Sequence, residues 1–438
     1  MLSLSLRVES SSLDFLILRR FCLAPLQGIF VSISVAFRKN HRNDKRNQFL
    51  MKILHLCLAF FPCQLFGGPP HIVLTYAKGM RQRGHDVSIL TTNILDHDKR
   101  MSTTTIDGEW EGIPVTYLNS HWRGRQENSL GFIWSTDLWR YRHIIQAADV
   151  IHIHENRHFL FLGGALLARH YRVPYIIQPH GAVHRVTGRR CLKRIYDTFI
   201  TGNVMRHSKG IVILTDQERS YLENDFDLSD SYFHKILNPF DTDIVPPQQD
   251  KDFRKKYSIP DDVPLVLFLG RLHRDKGIDL LLKALQDLDG VYAAIVGPDY
   301  GFLEPAKLQA HEYGISDRVV FTGPIYETNA KFDAFRSADV FTHPARIETL
   351  PTTVLEALAV QTPVVLTDTF ELGRLVHNRV GITVEYDAKQ LCEGLKTIIT
   401  QPDIARTFSQ NAPAFMEEFF GMNRALDQIE ELYTEAQF

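Results

Sequence analysis

Glu348 and Glu356 bracket the turn Thr349-Leu350-Pro351-Thr352-Thr353, and this pairing could do chemistry. Proline is favoured at the first helical position, so a helix is expected to start at Pro351 and to carry Glu356 in its second turn. The first N–H groups of such a helix have no intrahelical partner, and an anion binds readily there. Carboxylates accept hydrogen bonds from sugar hydroxyls, and the amide dipoles hold a diphosphate between them. Leu350, Pro351, Thr352, Thr353 and Glu356 therefore read as a nucleotide-sugar cradle. The same letters also fit an ordinary strand–loop–helix unit with solvated acids.

Upstream, Gly270-Arg271-Leu272-His273-Arg274-Asp275-Lys276-Gly277 follows the apolar run Pro264–Leu269. Two cations, Arg271 and Lys276, at the carboxyl end of a strand could neutralise a leaving diphosphate as charge develops on it. Gln178-Pro179-His180-Gly181 ends another apolar run and places His180 at a cleft edge, where it competes with a purely structural role. Gly67-Gly68 follows the first strand and allows close backbone approach by a ligand.

These residues need elements to hold them. Apolar runs at Lys52–Phe60, Asp86–Thr91, Val150–His154, Pro174–Gln178 and Ile211–Leu214 alternate with helical patterns. A second series runs through Pro264–Leu269, Tyr292–Val296, Val319–Thr322, Val340–Thr342, Pro363–Thr367 and Gly381–Val384. Such alternation predicts two α/β units with parallel sheets and helices on both faces, with ligands at the carboxyl ends of the strands. Asn238-Pro239-Phe240-Asp241 and the proline pair Pro246-Pro247 mark the connection between them.

The chain has 438 residues, 44% of them hydrophobic, and a formal net charge of -2, so nothing argues for nucleic acid as a partner. Its five cysteines form no C-x-x-C pair, which argues against a zinc site and for a reduced, cytosolic protein. Residues 1–50 differ from the rest. They are Ser-rich, then basic, and their uncharged run is too short and interrupted to span a membrane. They read as a disordered leader or an over-extended start, with Met51 as a natural beginning. Arg189, Arg190, Lys193 and Arg194 lie off the stripe Leu192, Ile195, Tyr196, Phe199, Ile200; this is either a solvated basic side or a face for anionic lipid. No G-x-G-x-x-G or P-loop motif occurs, so the dinucleotide and NTPase readings lose their main support.

Together the G-R-x-x-x-x-K-G turn, the E-x7-E pair, P-H-G, R-G-H-D-V and N-x-x-D-T resemble the retaining glycosyltransferases of family 4. The resemblance covers nearly everything from Met51 to Phe438. It implies the GT-B fold: two Rossmann-like doubly wound parallel-sheet domains facing across a cleft, at 51–240 on the acceptor side and 241–414 on the nucleotide-sugar side. A helix at 415–438 would cross back onto the first domain. The implied reaction moves a hexose-type sugar from a nucleoside diphosphate to a hydroxyl of a glycan or lipid-linked acceptor, in cell-surface polysaccharide or lipopolysaccharide synthesis. In that scheme Arg271, Lys276, Glu348 and His180 are catalytic, and Gly67, Gly68, Gly270, Leu350, Pro351, Thr352, Thr353 and Glu356 bind substrate. No cofactor or essential metal is implied. The expected location is cytoplasmic, with peripheral contact at the inner face of the plasma membrane.

The sequence departs from the family at Gln361, where a glycine is usual, and at Phe370, Glu371 and Arg374, which replace two glycines and a glutamate. Donor preference or activity could differ accordingly. A metal-dependent transferase of the other common fold would need a D-x-D motif, and Asp96-His97-Asp98, Asp225-Phe226-Asp227 and Asp241-Thr242-Asp243 supply only the letters. Three readings share the architecture: a sugar-nucleotide epimerase, a glycoside phosphorylase, and a degenerate binding subunit.

Overall fold

The computed structural model describes residues 50–63, 68–95, 99–101, 106–123, 132–181, 196–248 and 253–438. The leader reading for residues 1–50, Gly67, the Arg189–Arg194 cations and Asp96-His97-Asp98 therefore lie outside the described residues, apart from Leu50 itself. All elements below belong to one compact unit, Met51–Phe438.

The first lobe carries β1 (Lys52–Leu56), β2 (Asp86–Thr92), β3 (Ile106–Trp110) and β4 (Ile113–Leu118). A separate two-stranded ribbon, β5 (His121–Arg123) and β6 (Phe132–Trp134), precedes β7 (Val150–His154), β8 (Tyr175–Gln178), β9 (Gly210–Ile213) and β10 (Phe233–Lys235). The main sheet runs β10-β9-β8-β7-β1-β2-β4-β3. It is parallel except for β3, which returns antiparallel on β4 through a turn whose central residues, Glu111 and Gly112, both have positive φ (49° and 81°). That geometry matches the twist of a two-residue hairpin. The helices used below are α1 (Pro69–Gln82), α2 (Phe159–Tyr171) and α3 (Asp216–Phe226).

The second lobe carries β11 (Leu265–Leu269), β12 (Tyr292–Val296), β13 (Val319–Gly323), β14 (Val340–His343), β15 (Val364–Thr367) and β16 (Gly381–Val384). Its order is β13-β12-β11-β14-β15-β16, and every pairing is parallel. Leu265 to Phe268 are fully buried, as a strand covered on both faces requires. The strand order reverses between β11 and β14, and α/β sheets bind ligands at such switch points. Here α4 (Thr328–Ser337) and α5 (Thr352–Ala359) flank the site, and α6 (Pro402–Phe420) and α7 (Met422–Ala436) close the chain.

The single helix expected at 415–438 falls on two helices, broken at Gly421. Phe415, Met416 and Phe420 pack in the second lobe's core, whereas Ala425, Leu426, Ile429, Leu432 and Tyr433 pack in the first lobe's. The chain therefore crosses at Gly421, later than the boundary expected at 415. Phe240 N–H donates to Phe420 O (2.9 Å), so both interlobe passages run side by side. The Arg83-Gly84-His85 motif turns out to be the dock for α7. Arg83 Nη1 meets Glu430 Oε2 at 2.6 Å and Nη2 meets Asp427 at 2.7 Å, while His85 Nε2 lies 3.1 Å from Glu430 Oε1. Among the described residues, no helix is long and apolar enough to cross a membrane.

Candidate active site

The loops that follow β11 and β14 hold the predicted cations and acids, and the strands are neighbours at the switch point. Arg346 N–H donates to Asp275 O (2.8 Å), sewing the two loops together. Glycine is required at two points here. Gly277 has φ +70°, and a Cβ on it would meet Pro344 O at 1.7 Å; on Gly297 (φ +149°) a Cβ would meet Gly270 O at 1.8 Å. These close approaches let the Gly270–Gly277 turn fold back against the strand ends.

Lys276 Nζ lies 2.5 Å from Glu348 Oε2, with both side chains mostly buried. His343 Nε2 lies 3.1 Å from the same oxygen, and Thr349 N–H donates to Glu348 Oε1 at 3.1 Å. Burial opposes ionisation of Glu348, but Lys276 and the His343 bond outweigh it and hold the carboxyl well below its ordinary range. His343 itself is lowered by burial, against the pull of Glu348. Glu348 is thus a fixed carboxylate with its cation beside it.

Pro351 is the cap of α5 rather than its first residue; its extended ψ of 115° places the helix start at Thr352. The amides of Thr352 and Thr353 therefore stand at the open end of the helix, with Leu350 half-buried behind them. Glu356 is buried, and its Oε1 accepts from Lys331 Nζ at 2.7 Å. Arg271 is exposed at the end of β11, its guanidinium 5.2 Å from the Tyr300 ring centroid. Of the predicted cations and acids, the structure brings Lys276 and Glu348 into contact, while Arg271 stands against Tyr300 and Glu356 against Lys331.

The first lobe faces this surface closely. A Cβ on Gly181 would lie 2.2 Å from Thr349 Oγ1, and one on Gly68 would lie 3.6 Å from Thr352 Cγ2. The Gly68 turn and the His180-Gly181 turn therefore bracket the second lobe's anion loop, while Gly67 lies outside the described residues. His180 takes φ +53° and Gly181 φ +75°. Glu218 holds this strained turn: its Oε1 accepts Gly181 N–H (2.8 Å) and its Oε2 accepts Leu214 N–H (2.9 Å). Burial pushes Glu218 up to about 7.

Sequence reasoning missed Glu218 and Lys331. Thr215-x-x-Glu218 has the letters of a capping box, with Thr215 Oγ1 accepting Glu218 N–H at 3.0 Å, and that signal was available. Lys331 carried none, since its pairing with Glu356 is tertiary. The departures also have places. Phe370 is buried against His343, ring centroids 6.0 Å apart. Glu371 crosses to the first lobe, accepting Asp216 N–H (2.7 Å) and pairing with Lys235. Asp241 caps a short turn through Asp243 N–H (3.0 Å). Among the described residues, one group of three candidate ligands lies close enough together to hold a metal ion, His55, His152 and His154.

The family model for glycosyl transferases group 1 matches residues 249–415, and that for the glycosyl transferase 4-like domain matches residues 67–230. The chain belongs to the family 4 glycosyltransferases. Mannosylfructose-phosphate synthase of Agrobacterium fabrum is 26% identical over 339 residues, covering 69% of this chain and 71% of that one. Alpha-monoglucosyldiacylglycerol synthase of Streptococcus pneumoniae is 24% identical, covering 83% and 81%. Among solved structures, HepE of Anabaena in complex with UDP and glucose superposes with a TM-score of 0.67 at 18% identity, covering 87% of this chain and 98% of that one. Sucrose-phosphate synthase from Thermosynechococcus elongatus gives a TM-score of 0.66 at 20% identity, covering 88% and 98%. The family 4 transferase therefore has the GT-B fold and acts on sugar nucleotides.

Proposed function

We propose that this transferase moves a hexose-type sugar, with retention of configuration, from a nucleoside diphosphate to a hydroxyl of a glycan or lipid-linked acceptor. The setting proposed is cell-surface polysaccharide or lipopolysaccharide synthesis. The observation that carries the reading is the Lys276–Glu348 pair beside the open end of α5, faced across the cleft by the Gly181 turn. Glu356 takes the ribose hydroxyls and Glu348 those of the sugar. Arg271, Lys276 and the amides of Thr352 and Thr353 take the diphosphate, whose charge grows as the glycosidic bond breaks. His180 meets the sugar from the first lobe. The acceptor attacks from the leaving-group side and passes its proton to the departing phosphate oxygen, so no protein nucleophile is assigned.

This scheme needs no metal, and turnover is expected to survive EDTA; loss of turnover that Mg²⁺ restores would remove that part. Product analysis with and without an acceptor separates transfer from epimerisation and phosphorolysis. A nucleotide-binding subunit without turnover is the second reading, favoured by Phe370 and Glu371, which fill and tie down a loop where the family has glycines. Release of nucleoside diphosphate on adding acceptor decides against it. A cytoplasmic place with peripheral membrane contact is part of the proposal. Charge reversal at Arg190 and Lys193 is expected to abolish cosedimentation with anionic vesicles, and unchanged binding would end it.

A further inference from the structure

Behind His180 runs a file of buried imidazoles on β7 and β1 that the reaction scheme does not use. His180 Nε2 lies 2.9 Å from His154 Nδ1, and His154 Nε2 lies 2.9 Å from His55 Nδ1. The rings are nearly parallel, at 15° and 24°, with centroids 5.2 Å apart at each step, as edge-to-edge N–H···N bonds require. His55 and His154 are fully buried. The file ends at His55 Nε2, which is buried with no hydrogen-bond partner. At the other end His180 is half-buried, and its Nδ1 has no partner among the described residues.

Two proton arrangements satisfy both internal bonds. In one, every N–H points away from the cleft, and His55 must bury an N–H at Nε2 with nothing to accept it. In the other, His55 Nδ1–H donates to His154 Nε2, His154 Nδ1–H donates to His180 Nε2, and only a bare lone pair is buried at His55 Nε2. Orphaned buried N–H groups are rarer than under-used acceptors, so the second arrangement is favoured. It requires neutral rings, and burial lowers the pKa of all three, to about 3 for His55 and His180.

We infer that His154 and His55 are positioning residues that lock His180 as the Nδ1–H tautomer and so aim a hydrogen-bond donor into the cleft. A backward-pointing bond is the usual way an imidazole's working nitrogen is chosen. The group met by Nδ1–H is then an acceptor oxygen of the sugar or its phosphate. Naming that oxygen rests on the proposed function; the tautomer does not.

The direct test is a long-range ¹H–¹⁵N correlation spectrum of the full chain labelled with ¹⁵N-histidine, unliganded, at neutral pH. His180, assigned by its loss in His180→Asn, is expected to show a protonated Nδ1 and a bare Nε2. The reverse tautomer overturns the inference. So does a stoichiometric metal ion in the purified protein whose removal shifts the His55 and His154 resonances, because those lone pairs would then be ligands.

A kinetic pair adds a second readout. His55→Leu removes the terminal donor, and kcat is expected to fall about tenfold, the worth of one hydrogen bond, with donor KM nearly unchanged. His55→Asn keeps an N–H near the Nδ1 position and is expected to restore most of that loss. Equal kcat in the two variants overturns the inference. Because the spectrum needs no substrate, it can fail or succeed independently of the transferase reading.

Discussion

Gln361 shows what one side chain costs in a left-handed turn. It sits just past α5 with φ +64°, its N–H bonded to Leu358 O (2.9 Å) while Thr362 N–H bonds Ala357 O (3.0 Å). This is a helix C-terminal turn in the left-handed region, where a Cβ is strained by about 1 kcal/mol and glycine is not. Gln361→Gly is therefore expected to raise stability by about 0.5–1 kcal/mol in denaturant unfolding; a loss of stability would contradict this reading. Lys276 makes the opposite case, a residue whose loss is expensive. Lys276→Ala would leave the Glu348 carboxylate mostly buried with no cation beside it, bonded only to His343 and the Thr349 N–H. A cost of about 3 kcal/mol is expected, with Lys276→Ala/Glu348→Ala less unstable than Lys276→Ala. If the double variant is the weaker of the two, the pair is not what holds the loop.

At the scale of elements, the site is made by close approaches. Gly181 and Thr349 touch across the cleft, so a methyl on Gly181 both strains φ +75° and blocks the lobes from meeting. Gly181→Ala is expected to lower kcat at least tenfold while nucleoside diphosphate still binds the second lobe; wild-type turnover would show that this contact is incidental. Much of this scaffold could be read in advance. The runs Val150–His154, Tyr292–Val296 and Gly381–Val384 are strands with those bounds; Tyr292–Val296 in particular is an unbroken apolar run, as a parallel strand covered on both faces requires. The hairpin at Ile106–Leu118 was not read, because its turn uses Glu111 in a left-handed conformation that the letter does not announce. The break at Gly421 was missed for a related reason: the apolar spacing of α6 continues into α7, and nothing local tells which lobe each face will meet. Arg271, Lys276 and Glu348 were legible as residues that follow a strand, and Glu356 as one inside the helix beyond. Lys331 and the His55–His154 file were not, since contacts between elements apart in sequence leave no spacing to find.

At the scale of the whole molecule, buried ionisable groups tie stability to pH. His55, His158 and His180 are lowered to about 3 or 4 by burial, and His152 and His154 are also lowered. Each stabilises fully above its unfolded value near 6.5, and that contribution is lost as the pH falls, by up to about 1.4 kcal/mol per unit and group. Glu155 and Glu218, raised to about 7, act oppositely: they favour the fold when protonated, so they gain as the pH falls from 7. The histidines outnumber them. The melting temperature is accordingly expected to drop between pH 7.5 and 5.5, and a flat or rising profile would contradict the assignment of neutral buried rings. The proposed transfer, however, requires that two lobes grip an activated sugar through the second lobe's cations and acids. Calorimetric titration of UDP-, GDP- and ADP-sugars against the wild type and Arg271→Ala/Glu356→Ala is the sharpest check on this. One nucleotide class is expected to bind the wild type saturably and to lose at least tenfold in affinity in the variant; equal binding by both proteins, or by neither, would contradict the account.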